Sequence, residues 1–234
     1  MPDAPAPEML ALPSGAAPVE WRRSPRARRI SLRIDPRQGR VVVTLPLRAS
    51  RAAGVALLRA HAGWVAERLA ALPAELRLAD GALVPLHGER TPIRHLPQGR
   101  GGAWLEGGEI HVTGLSEHLP RRVRDFLRAE AHRSLGGLAE AKAALAGVRA
   151  RRVTVKDTRS RWGSCSPDGV LMFSWRLVMA PRFVQDYVAA HEVAHLRHMN
   201  HGARFWGLVS DLTTATEPAM AWLREEGPGL LRIS

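Results

Sequence analysis

Apolar and polar residues alternate over short segments in the first part of the chain. Residues 30–34 alternate in this way, a turn-forming Asp-Pro-Arg-Gln-Gly segment follows, and residues 41–45 are again mostly apolar. This pattern is typical of a β-hairpin. Ser50 then precedes apolar residues at helical spacing that continue to Pro73, which predicts one helix with Ser50 at its N-terminus.

The pattern changes along the rest of the chain. Short apolar segments separated by glycines between residues 82 and 114 predict several strands. Residues 120–145 place apolar side chains at helical spacing, which predicts a long helix. Alternation at 153–156 and apolar residues at 170–173 predict a strand pair, and Pro181 is typical of the first turn of another helix. The order is therefore helix, strand pair, helix.

These elements predict an α+β fold with three regions. Residues 1–18 are rich in Ala and Pro and have neither a basic start nor a long apolar core, so we expect a disordered leader rather than a secretory signal. Residues 19–115 are predicted to form a small β-rich subdomain with one helix. Residues 116–234 are predicted to form the domain that carries the chemistry.

The last of these predicted helices contains the sequence His191-Glu192-Val193-Ala194-His195, an HExxH motif. Histidines at positions i and i+4 lie about 40° apart around a helix, so both imidazoles can reach one ion. Glu192 lies about 100° from His191, where its carboxylate can meet a metal-bound water. This is the arrangement that a zinc hydrolase needs.

A zinc hydrolase usually has a third protein ligand, for which His201 is the first candidate. His201 follows His195 by six residues and lies between Asn200 and Gly202. Both neighbours tolerate the left-handed conformation that ends helices. We therefore expect a turn here that brings His201 back over the metal, at the ligand spacing of the metzincins.

Two other residues remain candidates for the third position. His198 lies on the same helical stripe as His191, but about 10 Å further along the helix axis, which favours a supporting or surface role. Glu217 is the alternative ligand, because sites with two histidines and one glutamate take the carboxylate from a later helix.

The single cysteine, Cys165, excludes an internal disulfide and favours a reducing compartment. Any zinc site must therefore be built from histidines and carboxylates, and Cys165 itself is predicted to be a buried inert thiol. No apolar run approaches the roughly 18 residues that span a bilayer. We expect a cytoplasmic protein without a membrane partner.

The formal net charge is +12, and 32 of the 34 basic residues are arginine. An excess of this size favours polyanionic partners, although a bias toward GC-rich codons also produces it. Nucleic acid is therefore a candidate partner. The sequence shows no aromatic residues interleaved with the main cluster, as a stacking surface requires, and this cluster consists of Arg22, Arg23, Arg26, Arg28, Arg29 and Arg33.

Several motifs resemble the YgjP-like metallopeptidase family. They are TRSRWGSCS at 158–166, SWRL at 174–177 and HEVAHLRHMNHGARFW at 191–206, with weaker similarity at 22–33. The resemblance implies a zincin-like core, gluzincin-like or SprT-like, with a helix, antiparallel strands, the HExxH helix and C-terminal helices. It also implies a zinc ion held by His191, His195 and His201, with Glu192 as the catalytic acid and base.

The resulting hypothesis is a zinc metallopeptidase that hydrolyses protein or peptide substrates with a water activated by Glu192. Segment 161–166 is a candidate edge strand for binding an extended peptide. One alternative is a SprT-like protease for nucleic-acid-associated proteins. Another is a zinc-containing nucleic-acid- or protein-binding module with little turnover. The sequence leaves four candidates for stabilising the oxyanion, which are Arg161, Tyr187, His198 and Arg204.

Overall fold

A computed structural model describes residues 8–13, 15–158 and 161–234 of the chain. Arg159 and Ser160 of the TRSRWGSCS motif lie outside the described residues. Contacts divide the chain into an N-terminal unit that ends at Ala74 and a C-terminal unit that begins at Glu75.

The N-terminal unit packs one face of a four-stranded sheet against two helices. The strand order is β1-β2-β4-β3, with β2 and β4 parallel and the other pairs antiparallel. Val41, Val43 and Leu58 are fully buried in the core of this unit. The elements are β1 (Glu8–Leu12), β2 (Gly15–Ser24), β3 (Ser31–Asp35), β4 (Arg40–Pro46), α1 (Arg51–Ala60) and α2 (Ala62–Ala70).

Part of the predicted leader is a β-hairpin, so the expectation of disorder up to residue 18 differs from the structure. Strand β1 pairs with the start of β2, with Leu10 opposite Ala17. Leu12 and Ala17 are buried in the core of the N-terminal unit. The high Ala and Pro content of this segment obscures the apolar side chains that the paired strands bury. Residues 1–7 and 14 of the predicted leader lie outside the described residues.

The helix predicted after Ser50 is divided into two. The Ser50 hydroxyl accepts a hydrogen bond from the Ala53 amide at 3.1 Å, which makes it the N-cap of α1. His61 then leaves helical geometry, with φ of −110° and ψ of 21°, and separates α1 from α2.

The C-terminal unit contains two sheets around a long helix. One sheet has the order β5-β6-β8-β7 and the other β10-β11-β9. Two 3₁₀ segments, Ser116–His118 and Trp175–Met179, join neighbouring elements. The elements are β5 (Leu83–Leu86), β6 (Glu89–Leu96), β7 (Ala103–Glu106), β8 (Glu109–Thr113), α3 (Leu119–Leu145), β9 (Arg152–Lys156), β10 (Gly163–Cys165), β11 (Val170–Ser174), α4 (Arg182–Ala194), α5 (Ala203–Leu212), α6 (Thr216–Glu225) and α7 (Gly227–Leu230).

The boundary between the units lies near residue 74, not at the predicted position 115/116. Strands β5 to β8 share a core with α3, in which Ile93 and Ile110 are buried together with Val123 and Leu127. The four strands therefore belong to the C-terminal unit, because their apolar face is covered by α3. Local sequence patterns do not reveal this long-range packing.

Strands β9 and β11 run parallel, whereas the resemblance implied antiparallel strands. Strand β10 does pair antiparallel with β11, so the small sheet is mixed. Helix α3 agrees closely with its predicted bounds and, with 27 residues, is long enough to span a bilayer. It contains nine charged residues, however, and within the described ranges no helix combines the length and the apolar character that crossing a membrane requires.

Candidate metal centre

Helix α4 carries the HExxH motif at its C-terminal end. His191 lies in its last turn, and His195 is the C-cap residue. The helix is anchored in the core of the C-terminal unit by fully buried residues such as Val184, Ala190 and Val193. The two histidines are partly buried, so they lie where the core meets the surface.

The chain turns after His195 without the left-handed residue that the sequence predicted. The first hydrogen bonds of this turn join residues three positions apart. They run from the Leu196 amide to the Val193 carbonyl at 3.0 Å and from the Arg197 amide to the Ala194 carbonyl at 3.1 Å. Gly202 has a φ of −84° and is the N-cap of α5. The reversal thus uses right-handed 3₁₀-type turns, which need no positive φ.

This turn brings His201 to the two histidines of the motif. The candidate ligand atoms of His191, His195 and His201 all lie within 4.8 Å of one another. The Nε2 atoms of His191 and His201 are 3.2 Å apart. Glu217, the alternative ligand, is exposed on α6 and is not part of this group.

The ring of Phe205 packs against all three imidazoles. Its ring is fully buried, and its centroid lies 5.0 Å from that of His191, 4.6 Å from that of His195 and 4.7 Å from that of His201. The neighbouring Trp206 remains 36% exposed at the edge of the site.

Hydrogen bonds orient two of the imidazoles. The Nδ1 atom of His195 donates to the His198 carbonyl at 3.1 Å, because a carbonyl oxygen can only accept. Nε2 of His195 is then left unprotonated as a ligand atom. The Tyr187 hydroxyl lies 3.5 Å from His191 Nδ1. His198 therefore contributes its backbone, and Tyr187 is a buried residue whose hydroxyl reaches the site.

The environment favours neutral imidazoles. Burial, followed by the neighbouring His195 and His201, lowers the pKa of His191 to about 4. Burial also lowers the pKa of His195, although the bond to the His198 carbonyl opposes this shift. Neutral imidazole is the form that binds a metal.

Glu192 lies beside the three histidines and is 6% exposed. Burial raises the pKa of its carboxyl to about 7, and the Arg161 guanidinium works in the opposite direction. A carboxyl group with a pKa near neutrality can both take and return a proton at physiological pH.

Strand β10 reaches the Glu192 side chain through Gly163. A Cβ at position 163 would lie 2.5 Å from Glu192 Oε1 and 2.6 Å from Cγ. No real side chain fits at that distance, so only glycine allows the strand to approach the carboxylate so closely. Gly163 is a residue of the site that the sequence pattern did not reveal, although a glycine in a strand is a known signal of close backbone approach.

Cys165 lies two residues further along the same strand. Burial, helped by Glu192 and Asp168, raises the pKa of its thiol to about 11. A protonated thiol is a poor nucleophile and a poor ligand, which agrees with the predicted inert role. The cysteine is only half-buried.

A family model and a solved structure match this chain. A family model described as the YgjP-like metallopeptidase domain matches residues 28–226. No curated protein matches the chain. Among solved structures, the crystal structure of the metallopeptidase zymogen of Pyrococcus abyssi abylysin is 18% identical with a TM-score of 0.36, over 39% of this chain and 93% of that one. The family match spans most of the sequence, and the chain belongs to the YgjP-like metallopeptidase family.

Proposed function

We propose that the protein is a zinc-dependent peptidase that hydrolyses peptide bonds with Glu192 as general base and acid. One observation carries this proposal. Three histidine ligand atoms lie within 4.8 Å of one another, next to a buried carboxylate whose pKa is raised to about 7. A zinc site with a purely structural role would not need that carboxylate.

The donor set fits zinc. Zinc binds imidazole nitrogen at about 2.0–2.1 Å, and catalytic sites commonly have three protein ligands and one open position. In a tetrahedral site, ligand nitrogens at that bond length lie about 3.4 Å apart, close to the 3.2 Å between Nε2 of His191 and Nε2 of His201. The bond from His195 to the His198 carbonyl is the kind of support that zinc-bound histidines usually have.

When bound, zinc would polarise the scissile carbonyl and make the attacking water more acidic. Glu192 takes a proton from that water and returns it to the leaving amine. Its buried position keeps bulk water from competing for this proton. Two of the candidates, Arg161 and Tyr187, interact electrostatically with Glu192, and either would stabilise the developing oxyanion by donating a hydrogen bond to it.

Strand β10 provides a surface on which an extended substrate can bind. It is an edge strand of the order β10-β11-β9, and its first residue, Gly163, contacts Glu192. A substrate peptide that pairs with the free edge of β10 would lie alongside the carboxylate. Main-chain hydrogen bonds would then position the scissile bond largely independently of side-chain sequence.

Digestion of an unbiased peptide library by the zinc-loaded protein tests this function. We expect cleavage by the wild type, and loss of cleavage in Glu192→Gln with its zinc retained. Glu140→Gln, which changes an exposed glutamate on α3, is the matched control and should remain active. Equal cleavage by Glu192→Gln and the control would refute the role of Glu192. A zinc-loaded wild type that cleaves nothing would instead favour a binding module with little turnover.

A further inference from the structure

Positive charge is concentrated in the N-terminal unit. Residues 1–74 contain 12 arginines against five acidic residues, a formal charge of +7 within a chain total of +12. The remaining 160 residues therefore carry only +5. A small unit with this density of charge attracts polyanions over distances of about 10 Å at moderate ionic strength.

Four arginines of the cluster identified in the sequence are available to a ligand. Arg22 pairs with Glu20, and Arg23 donates to the carbonyls of Leu47 and Ala49, so these two are engaged within the unit. The other four are exposed, and none of them forms an ion pair within the part of the chain that the structure describes. They are Arg26, Arg28, Arg29 and Arg33.

A groove of about 500 Å³ has one of these four arginines, Arg29, in its lining. One wall is the segment 29–32, which enters the edge strand β3, and the other is formed by Leu57, His61 and Trp64 of the helical region. The Trp64 side chain is 40% exposed at this groove. The fold thus places in the same groove as Arg29 an aromatic residue that lies far from it in sequence.

We propose that this groove binds single-stranded nucleic acid, with one base stacked on Trp64 and the adjacent phosphates bound by Arg29 and its neighbour Arg28. An exposed aromatic ring next to cationic side chains is how proteins hold unpaired bases without reading their sequence. The bases of a duplex are already stacked on one another, so they cannot occupy the Trp64 face. An acidic peptide would satisfy the arginines but has no flat ring for the tryptophan.

This proposal does not depend on the peptidase function. The groove is formed by residues of the N-terminal unit alone, whereas the histidines and Glu192 belong to the C-terminal unit. Binding of nucleic acid can therefore be measured in the Glu192→Gln variant as well as in the wild type. Failure of one proposal leaves the other standing.

The test is fluorescence anisotropy of the full chain with labelled oligo(dT) and oligo(rU). Both oligonucleotides are longer than roughly 16 nucleotides, the longest site that one single-strand-binding domain typically covers. We expect Trp64→Ala to weaken binding roughly 10- to 100-fold, and Trp64→Phe to retain most of it, because phenylalanine still stacks. Circular dichroism of both variants checks that α2 remains folded. A Trp64→Ala variant that binds as tightly as the wild type would overturn the stacking model.

A salt series tests the arginines. Each phosphate contact to a single strand contributes about −0.7 to the slope of log K against log salt, so the double variant Arg28→Gln/Arg29→Gln should have a slope shallower by about 1.4. The matched control replaces two exposed arginines of the C-terminal unit, Arg149 and Arg152, and should leave the slope unchanged. Equal effects of the two double variants, or equally tight binding of duplex DNA or poly-glutamate, would overturn the proposal.

Discussion

Replacement of Gly163 by alanine tests whether the approach of β10 to Glu192 matters for catalysis. The new Cβ would lie 2.5 Å from Oε1, 2.6 Å from Cγ and 2.7 Å from Cδ of Glu192, where ordinary contact begins at 3.4 Å. Either the carboxylate or the strand must therefore move by about 0.9 Å. Glu192 is buried and fixed to α4, so it has little room to rotate away.

A displacement of about 1 Å at a reacting group can reduce activity roughly 100-fold. We therefore expect Gly163→Ala to reduce kcat/KM by about that factor, measured with a cleaved library peptide, while bound zinc stays near the wild-type level because the histidines are untouched. Gly137→Ala is the matched control, since open space surrounds that helical glycine and alanine favours the helix. Activity of Gly163→Ala within twofold of the control would refute the reasoning.

Three further predictions concern the surroundings of the site and the core. Phe205→Leu removes a ring that contacts all three imidazoles, so the zinc Kd from competition with a chelating dye should rise roughly tenfold; an unchanged Kd would show that the ring only fills space. Cys165, whose thiol pKa is about 11, should react with iodoacetamide at pH 8 roughly 100-fold more slowly than free cysteine, and comparable rates would contradict the assigned environment. Burial lowers the pKa of His87 below 6.5 although its hydrogen bond to Glu130 raises it. The native state then binds fewer protons than the unfolded state, and stability falls as the pH drops below about 6.5. His87→Asn, which suits the φ of 53°, should reduce this loss of stability at low pH, measured from urea unfolding curves. An equally steep loss in the variant would show that His87 is not its cause.

The candidate metal centre could be predicted from sequence because its residues are close together in the chain. His191, Glu192 and His195 occupy one helical end, where the spacing alone determines which side chains share a face. His201 follows His195 by only six residues, so the sequence could predict that a turn brings it to the other two histidines. The left-handed residue predicted for that turn is absent. The candidate ligands and the candidate general base could be named without knowledge of the rest of the fold.

Features that depend on long-range packing could not be predicted. Gly163 contacts Glu192 only because β10 packs against α4. Trp64 lines the same groove as Arg29 only because the helices pack beside β3. The unit boundary was misplaced for the same reason, since β5 to β8 are covered by a helix that follows them in sequence. Local periodicity predicts elements, but not which elements share a core.

Zinc content of the purified protein tests the central claim most directly. The wild type should hold about one zinc ion per chain, and His201→Ala should lose most of it under the same dialysis. His198→Ala is the matched control from the same turn, because His198 supports the site through its backbone carbonyl, and it should retain the metal. Equal zinc in His201→Ala and His198→Ala, or a wild type that binds none when zinc is supplied, would contradict the account.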